Sequence, residues 1–249
     1  MTDPASRPSA LVTGGSRGIG FGIADLLARR GWDLTLAARR IEHLERAAAA
    51  LETHGGSVRI AAADMADDAA LAEIVGGHAS AFGGLAALVL CAGVGTAGPI
   101  AGYPLTRYDK QMAVNVRAPF ALVSRALPLL RATAAATPSR PARIIALSSI
   151  EGIHPESGLA AYGATKAALI SLARSINVEE NRHGVLATAI SPAFVATDLS
   201  AWATATVPAE QMIPVDDIVR VVDLLLDLSA NASIEHILVN RVGAGPYRA

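Results

Sequence analysis

The chain alternates along its length between short apolar runs and longer stretches of helical spacing. This rhythm restricts its fold more than any other feature. The strand-sized runs are SALVT (9–13), DLTLAA (33–38), SVRIAAA (57–63), LAALVLC (85–91), ARIIALS (142–148), VLATAIS (185–191) and EHILVN (235–240). Several are apolar throughout, as strands buried on both faces of a parallel sheet must be. Helix-sized stretches separate them at 18–30, 41–53, 67–81, 106–134, 158–182 and 215–229. The repetition predicts an α/β fold, a three-layer, doubly wound parallel sheet of about seven strands with helices on both faces. No composition break divides residues 1–249, so one domain is expected. Residues 1–8 are expected to be a flexible N-terminus, and 241–249 a C-terminal tail. TAAATPSRPAR (133–143) reads as a loop whose prolines end the long helix. DLSAWATATVPAEQM (198–212) has little pattern and reads equally as a substrate lid or an ordinary surface loop.

Charge and cysteine usage exclude several functions. The 21 basic and 22 acidic residues are spread along the chain and leave a net charge of −1. No nucleic-acid or membrane-surface partner is expected from that balance. Residues 83–102 carry no charge, but six glycines and a proline interrupt them. That segment therefore reads as a buried strand and loop, not a membrane span. The first ten residues hold no apolar signal-peptide region. Cys91 is the only cysteine, which excludes an internal disulfide and suits a reducing cytoplasm. The six histidines lack ligand-like spacing, so no structural metal is expected.

The first strand runs directly into TGGSRGIG (13–20) and then into a helical pattern. Gly14, Gly18 and Gly20 permit a tight turn and close backbone approach, and Ser16, Arg17 and Ile19 share that turn. The helix N-terminus behind it offers free N–H groups to a pyrophosphate. The spacing, G-x3-G-x-G, differs from the general dinucleotide fingerprint, but its place between strand and helix predicts a nucleotide site. At the end of the second strand an NAD site would carry an acid for the ribose 2′-hydroxyl. Here Ala38 stands there, followed by Arg39 and Arg40. Guanidinium binds a phosphate through two parallel hydrogen bonds. Together with Arg17, these residues predict NADP(H) over NAD.

TGGSRGIG and YGATK (162–166), in this order, strongly resemble the short-chain dehydrogenase/reductase family. The likeness covers nearly the whole chain. It is supported by DMAD (64–67), CAGVG (91–95), NVRAPF (115–120), IALSSIEG (145–152) and SPAFVATDL (191–199). The resemblance implies a Rossmann-type fold and a catalytic tetrad of Asn115, Ser149, Tyr162 and Lys166. Ser149 is preferred over Ser148 because two residues and a glycine follow it, and because Tyr162 lies thirteen residues on. The resemblance further implies Asp64 and Met65 at the adenine and the Ala92–Gly93 turn along the ribose. Pro192, Val195 and Thr197 would surround the nicotinamide. Glu151, His154 and Glu156 fall where the family shapes its substrate pocket, with His154 read mainly as a loop residue without chemistry. Phe194 and Trp202 would line an apolar pocket, or Trp202 would instead pack in the lid or an interface. A homo-oligomer, tetramer or dimer, is also implied. Cys91 departs from the family's usual asparagine, so a changed local hydrogen bond is expected. PAF at 192–194 replaces the usual PG, which would alter the backbone path, and the C-terminus lacks the common VDGG ending.

Tyr162 and Lys166 lie one helical turn apart, so their side chains face the same way. A nearby ammonium favours phenolate over phenol, which predicts that Lys166 lowers the Tyr162 pKa. Tyr162 would then act as general acid and base, with Ser149 orienting the substrate oxygen. Lys166 would also bind the ribose, and Asn115 would support a proton relay. The expected function is NADP(H)-dependent interconversion of a ketone or aldehyde with its alcohol, in the cytoplasm, on a small and largely apolar molecule. The alternatives are a non-catalytic NADP-binding sensor or scaffold, and a sugar-nucleotide epimerase or dehydratase. The latter usually carries a further substrate domain.

Overall fold

The structure, a computed structural model, describes residues 7–243. Seven parallel strands form one sheet: β1 (Ser9–Thr13), β2 (Asp33–Ala38), β3 (Val58–Ala62), β4 (Ala87–Leu90), β5 (Ala142–Leu147), β6 (Val185–Pro192) and β7 (His236–Val239). Their spatial order is β3-β2-β1-β4-β5-β6-β7, so the chain reverses direction across the sheet between β1 and β4. Such a switch point opens a crevice at the carboxyl ends of the strands, where ligands bind.

The helices are α1 (Gly18–Arg29), α2 (Ile41–Glu52), α3 (Asp68–Phe82), α4 (Leu105–Met112), α5 (Ala118–Ala136), α6 (Ala160–Glu180) and α7 (Val215–Asp227). Two apolar cores result, one on each face of the sheet. Ile23, Leu27, Leu44, Leu51, Ile218 and Val222 seat α1, α2 and α7 on one face. Leu71, Ile74, Leu122, Leu130, Ile170 and Ile176 seat α3, α5 and α6 on the other. The central strands β1, β4, β5 and β6 are buried at every position, which explains their unbroken apolar runs.

The expected continuous helix over 106–134 is two helices joined by a π turn, Ala113–Arg117. One widened turn leaves the hydrophobic spacing almost unchanged, so periodicity does not reveal it. The predicted loop at 133–143 shrinks to 137–141, and Pro138 and Pro141 both fall inside it. The 198–212 segment contains two short 3-10 turns, Asp198–Ala203 and Ala209–Gln211. Pro8 already joins the fold through its carbonyl, which accepts from the Asp33 N–H at 3.0 Å. Arg7 joins it as well, pairing with Asp33 at 3.9 Å, while residues 1–6 of the expected flexible N-terminus and most of the expected tail lie outside the described residues. Among the described residues no helix is long and apolar enough to cross a membrane.

One buried polar cluster supports the β1–β2–α3 corner. His78 is fully buried, with Nε2 at 2.9 Å from the Gly84 carbonyl and Nδ1 at 2.9 Å from Thr35 Oγ1. The carbonyl can only accept, so Nε2 carries the proton and Nδ1 accepts from Thr35. Burial pushes the imidazole pKa down to about 4. The folded state therefore binds fewer protons than the unfolded one between about pH 6.5 and 4. Stability from neutral His78 is present above the unfolded pKa and is lost as pH falls through the folded value. We expect wild type to lose about 3 kcal/mol more than His78→Gln over that interval in urea denaturation. Parallel pH curves for the two proteins would refute this.

Candidate active site

A cleft of about 1120 Å³ runs along the carboxyl ends of the strands. It extends from the glycine turn and the end of β2, past the β4–α4 loop, to the N-terminal end of α6. Every sequence-predicted cofactor residue lines it, as do Ser149, Glu151, Tyr162, Lys166, Phe194 and Trp202. His154 does not. The 3-10 turn Ile150–Gly152 brings Glu151 to the cleft wall, and the chain has left that wall by His154.

The turn between β1 and α1 is shaped for close approach. Gly14 has φ +67°, a left-handed backbone that disfavours a side chain. A Cβ on Gly20 would lie 2.4 Å from the Gly14 carbonyl oxygen, so only glycine lets α1 start against this turn. The N-cap of α1, Arg17, makes no side-chain capping bond, and its first turn holds no acid. Contrast α3, where Asp67 accepts from the N–H groups of Ala69 and Ala70. The N–H groups of α1 are thus left for an anion, and the uncapped turn fits a pyrophosphate.

Arg39 and Arg40 are exposed and line the same cleft, as does His43. Neither arginine has an ion-pair partner among the described residues, so both are available to a phosphate. Arg17 instead pairs with Asp198, at the start of the 198–212 segment. Asp64 is exposed and accepts from the Ala66 N–H at 3.0 Å, while Met65 is buried.

At the β4 end, Thr13 Oγ1 accepts from the N–H groups of Cys91 and Ala92, both at 3.2 Å. These main-chain bonds tie the start of the loop to β1 without using the Cys91 side chain. Burial pushes the Cys91 thiol up to about 12, so it stays protonated. Fully buried Asn115 lies in the π turn. Its Oδ1 accepts from Val94 N at 2.9 Å; its Nδ2 donates to Val94 O at 2.7 Å and Thr165 Oγ1 at 3.0 Å. Both amide protons are committed, so this side chain clamps the Val94 loop to the π turn.

The two adjacent serines have different surroundings. Ser148 Oγ is buried and donates to the Lys166 main-chain oxygen at 2.7 Å. Ser149 Oγ accepts from the Glu151 N–H at 3.3 Å and lies close enough to the Tyr162 phenol to pull its pKa down. Lys166 is 5% exposed; its Nζ lies 5.5 Å from the Tyr162 ring centroid and donates to Leu147 O at 2.7 Å. Burial holds this ammonium down to about 8. Burial also pushes the Tyr162 phenol up to about 12; Ser149 pulls it back and the Glu151 charge pushes it further. The expected lowering of the Tyr162 pKa by Lys166 does not appear as a net shift. Among the protein's own groups, desolvation outweighs every favourable partner, and Lys166 is engaged by a carbonyl.

On the substrate side, Phe194 and Trp202 meet edge to face at 5.6 Å. The PAF segment is fixed by main-chain bonds from Ala193 N to Val239 O and from Ile213 N to Phe194 O, both 2.9 Å. Sequence reasoning missed Thr13, Thr165, Thr96, Leu199 and a helical face formed by Arg107 and Lys110 of α4 and Val114 of the π turn. That face was legible in principle, because its residues recur at helical spacing. The threonines were not, since a hydroxyl's partner depends on strands and helices distant in sequence.

Comparison with known proteins agrees with this geometry. The family model for short chain dehydrogenase matches residues 8–207. A rhamnolipids biosynthesis 3-oxoacyl-[acyl-carrier-protein] reductase of Pseudomonas aeruginosa is 38% identical over 175 residues, 68% of this chain and 66% of that one. A metagenomic short-chain oxidoreductase solved with NADP superposes at TM-score 0.80 with 31% identity, covering 96% of this chain and 99% of that one. An alcohol dehydrogenase from Thermococcus sibiricus, complexed with 5-hydroxy-NADP, gives TM-score 0.87 at 25% identity over 97% and 99% of the two chains.

Proposed function

Because the chain belongs to the short-chain dehydrogenase family, we propose that it is an oxidoreductase that uses NADP(H) to interconvert a ketone or aldehyde and its alcohol. The observation that carries this reading is the Ser149–Tyr162–Lys166 cluster at one end of a cleft whose other end presents unpaired arginines. The nicotinamide supplies or accepts the hydride. Tyr162 protonates the carbonyl oxygen and takes the proton back in the reverse direction. Ser149 holds that oxygen beside the phenol. Lys166 places a buried positive charge against the ring, mostly as ammonium at pH 7, where charge is worth far more than in water. Asn115 acts as a positioning residue by fixing the Val94 loop. The 198–212 segment covers the substrate, with Phe194 and Trp202 as its apolar contacts.

Arg39, Arg40 and Arg17 would hold the 2′-phosphate, Arg17 by giving up its pairing with Asp198. NADPH is expected to bind at least about tenfold tighter than NADH, roughly 1.4 kcal/mol, in fluorescence titration. The ratio should fall in Arg39→Ala. Equal affinities in wild type would remove these arginines from cofactor choice. The reading as a whole is tested by an NADPH-oxidation screen over ketones, aldehydes, quinones and β-keto esters. Absence of turnover across the panel would overturn it.

A further inference from the structure

The cleft lining includes a buried carboxyl that the proposed proton transfer does not use. Glu151 is 7% exposed and stands on the cleft wall two residues after Ser149. Its Oε2 accepts from the Glu156 N–H at 3.1 Å. The position is rigid, because a Cβ on Gly163 would lie only 2.8 Å from the Glu151 carbonyl oxygen. Thus the turn bearing Glu151 sits directly on the helix residue that follows Tyr162. Its charge is felt at the Tyr162 phenol, and burial beside Glu156 holds the carboxyl up at about 7.

Burying a carboxyl is costly unless its lone pairs or proton are satisfied. It also opposes the reaction, since a negative charge there makes Tyr162 a weaker acid. A wall meant only for apolar substrates would gain nothing from it. Phe194, Leu199 and Trp202 add large apolar side chains to the lining of the same cleft. The cleft therefore combines a buried carboxyl near the reacting groups with large apolar lining residues.

We propose that Glu151 is a specificity-determining residue that hydrogen-bonds a hydroxyl group carried next to the reacting carbonyl. The preferred substrates are then hydroxy-ketones or hydroxy-aldehydes with an apolar remainder, not plain hydrocarbon ketones. A hydroxyl fits because it both donates and accepts. It satisfies Glu151 as carboxylate and as carboxylic acid, whereas an ammonium suits only the former and a second carbonyl only the latter. This assignment rests on the oxidoreductase reading above.

The test uses matched ketone pairs that differ by one hydroxyl on the neighbouring carbon: acetoin with butanone, 2-hydroxycyclohexanone with cyclohexanone, and 2-hydroxyacetophenone with acetophenone. NADPH oxidation is followed for wild type, Glu151→Leu and Glu151→Gln. A site built to bond a hydroxyl strongly rejects the analogue lacking it. Wild type should favour the hydroxylated member by at least about tenfold in kcat/KM. Glu151→Leu should bring the ratio close to one, and Glu151→Gln, whose amide also donates and accepts, should retain a clear preference. A wild-type ratio of one or less overturns the proposal even if the leucine variant fails to fold. An unchanged ratio in a folded, NADPH-binding Glu151→Leu also overturns it while leaving the oxidoreductase reading intact. Failure of wild type to oxidise NADPH with any pair, or with the wider carbonyl panel, overturns that reading and this one together.

Discussion

Replacing Tyr162 by phenylalanine is expected to lower turnover by about 10²–10⁴-fold, the usual contribution of a general acid. NADPH affinity should stay within about twofold, a prediction resting on retention of the ring. That ring packs on the β4–α4 loop, where a Cβ on Gly95 would come within 3.0 Å of Tyr162 Cδ2, and faces Lys166 at 5.5 Å. Phenylalanine keeps both contacts and removes only the hydroxyl that meets Ser149. With the phenol held up at about 12, the proton is present at every pH in ordinary use. Loss of activity in the variant would therefore reflect loss of the donor, not an altered charge. Turnover above about a tenth of wild type, measured by NADPH oxidation on any accepted carbonyl, would remove Tyr162 from the acid role.

Lys166→Met, which keeps most of the buried volume, is expected to lower kcat by about 10²–10³-fold, the scale for losing one preorganised electrostatic donor. It should also weaken NADPH binding and leave the Leu147 carbonyl without its donor. The pH dependence separates the electrostatic role from a merely structural one. Lys166 titrates at about 8, so its ammonium is present below that pH and is lost above it. Tyr162 remains protonated throughout this interval, so wild-type reduction should slow as pH rises past about 8 because the positive charge disappears. The methionine variant should lose that step. A step retained unchanged in Lys166→Met would assign the titration elsewhere.

Much of this was legible in the residues. Strands needing two buried faces are apolar throughout, and all seven expected runs overlap strands of the structure. The glycine turn was legible because the absence of a side chain is itself the signal: Gly20 has no room for a Cβ, and the sequence records that directly. The missing acid and paired arginines after β2 were equally visible. Less legible were features set by partners far along the chain. His154 and Glu151 lie three residues apart in one segment, yet only Glu151 reaches the cleft. The π turn at Asn115 adds one residue to a helical turn without disturbing the apolar pattern on either side.

By itself, the sequence determined the βα order, the anion-binding turn and the chemical identity of the Ser149, Tyr162 and Lys166 groups. These depend on local spacing, side-chain size and functional groups, which a linear pattern carries. Only the tertiary structure decided how those groups are poised. Desolvation raises Tyr162 and lowers Lys166, the Asn115 amide is consumed by Val94 and Thr165, and Glu151 is buried where its charge acts on the phenol. Burial and electrostatic coupling arise from groups brought together across β4, β5 and α6. Their strength follows from distance and local dielectric, which no spacing along the chain specifies.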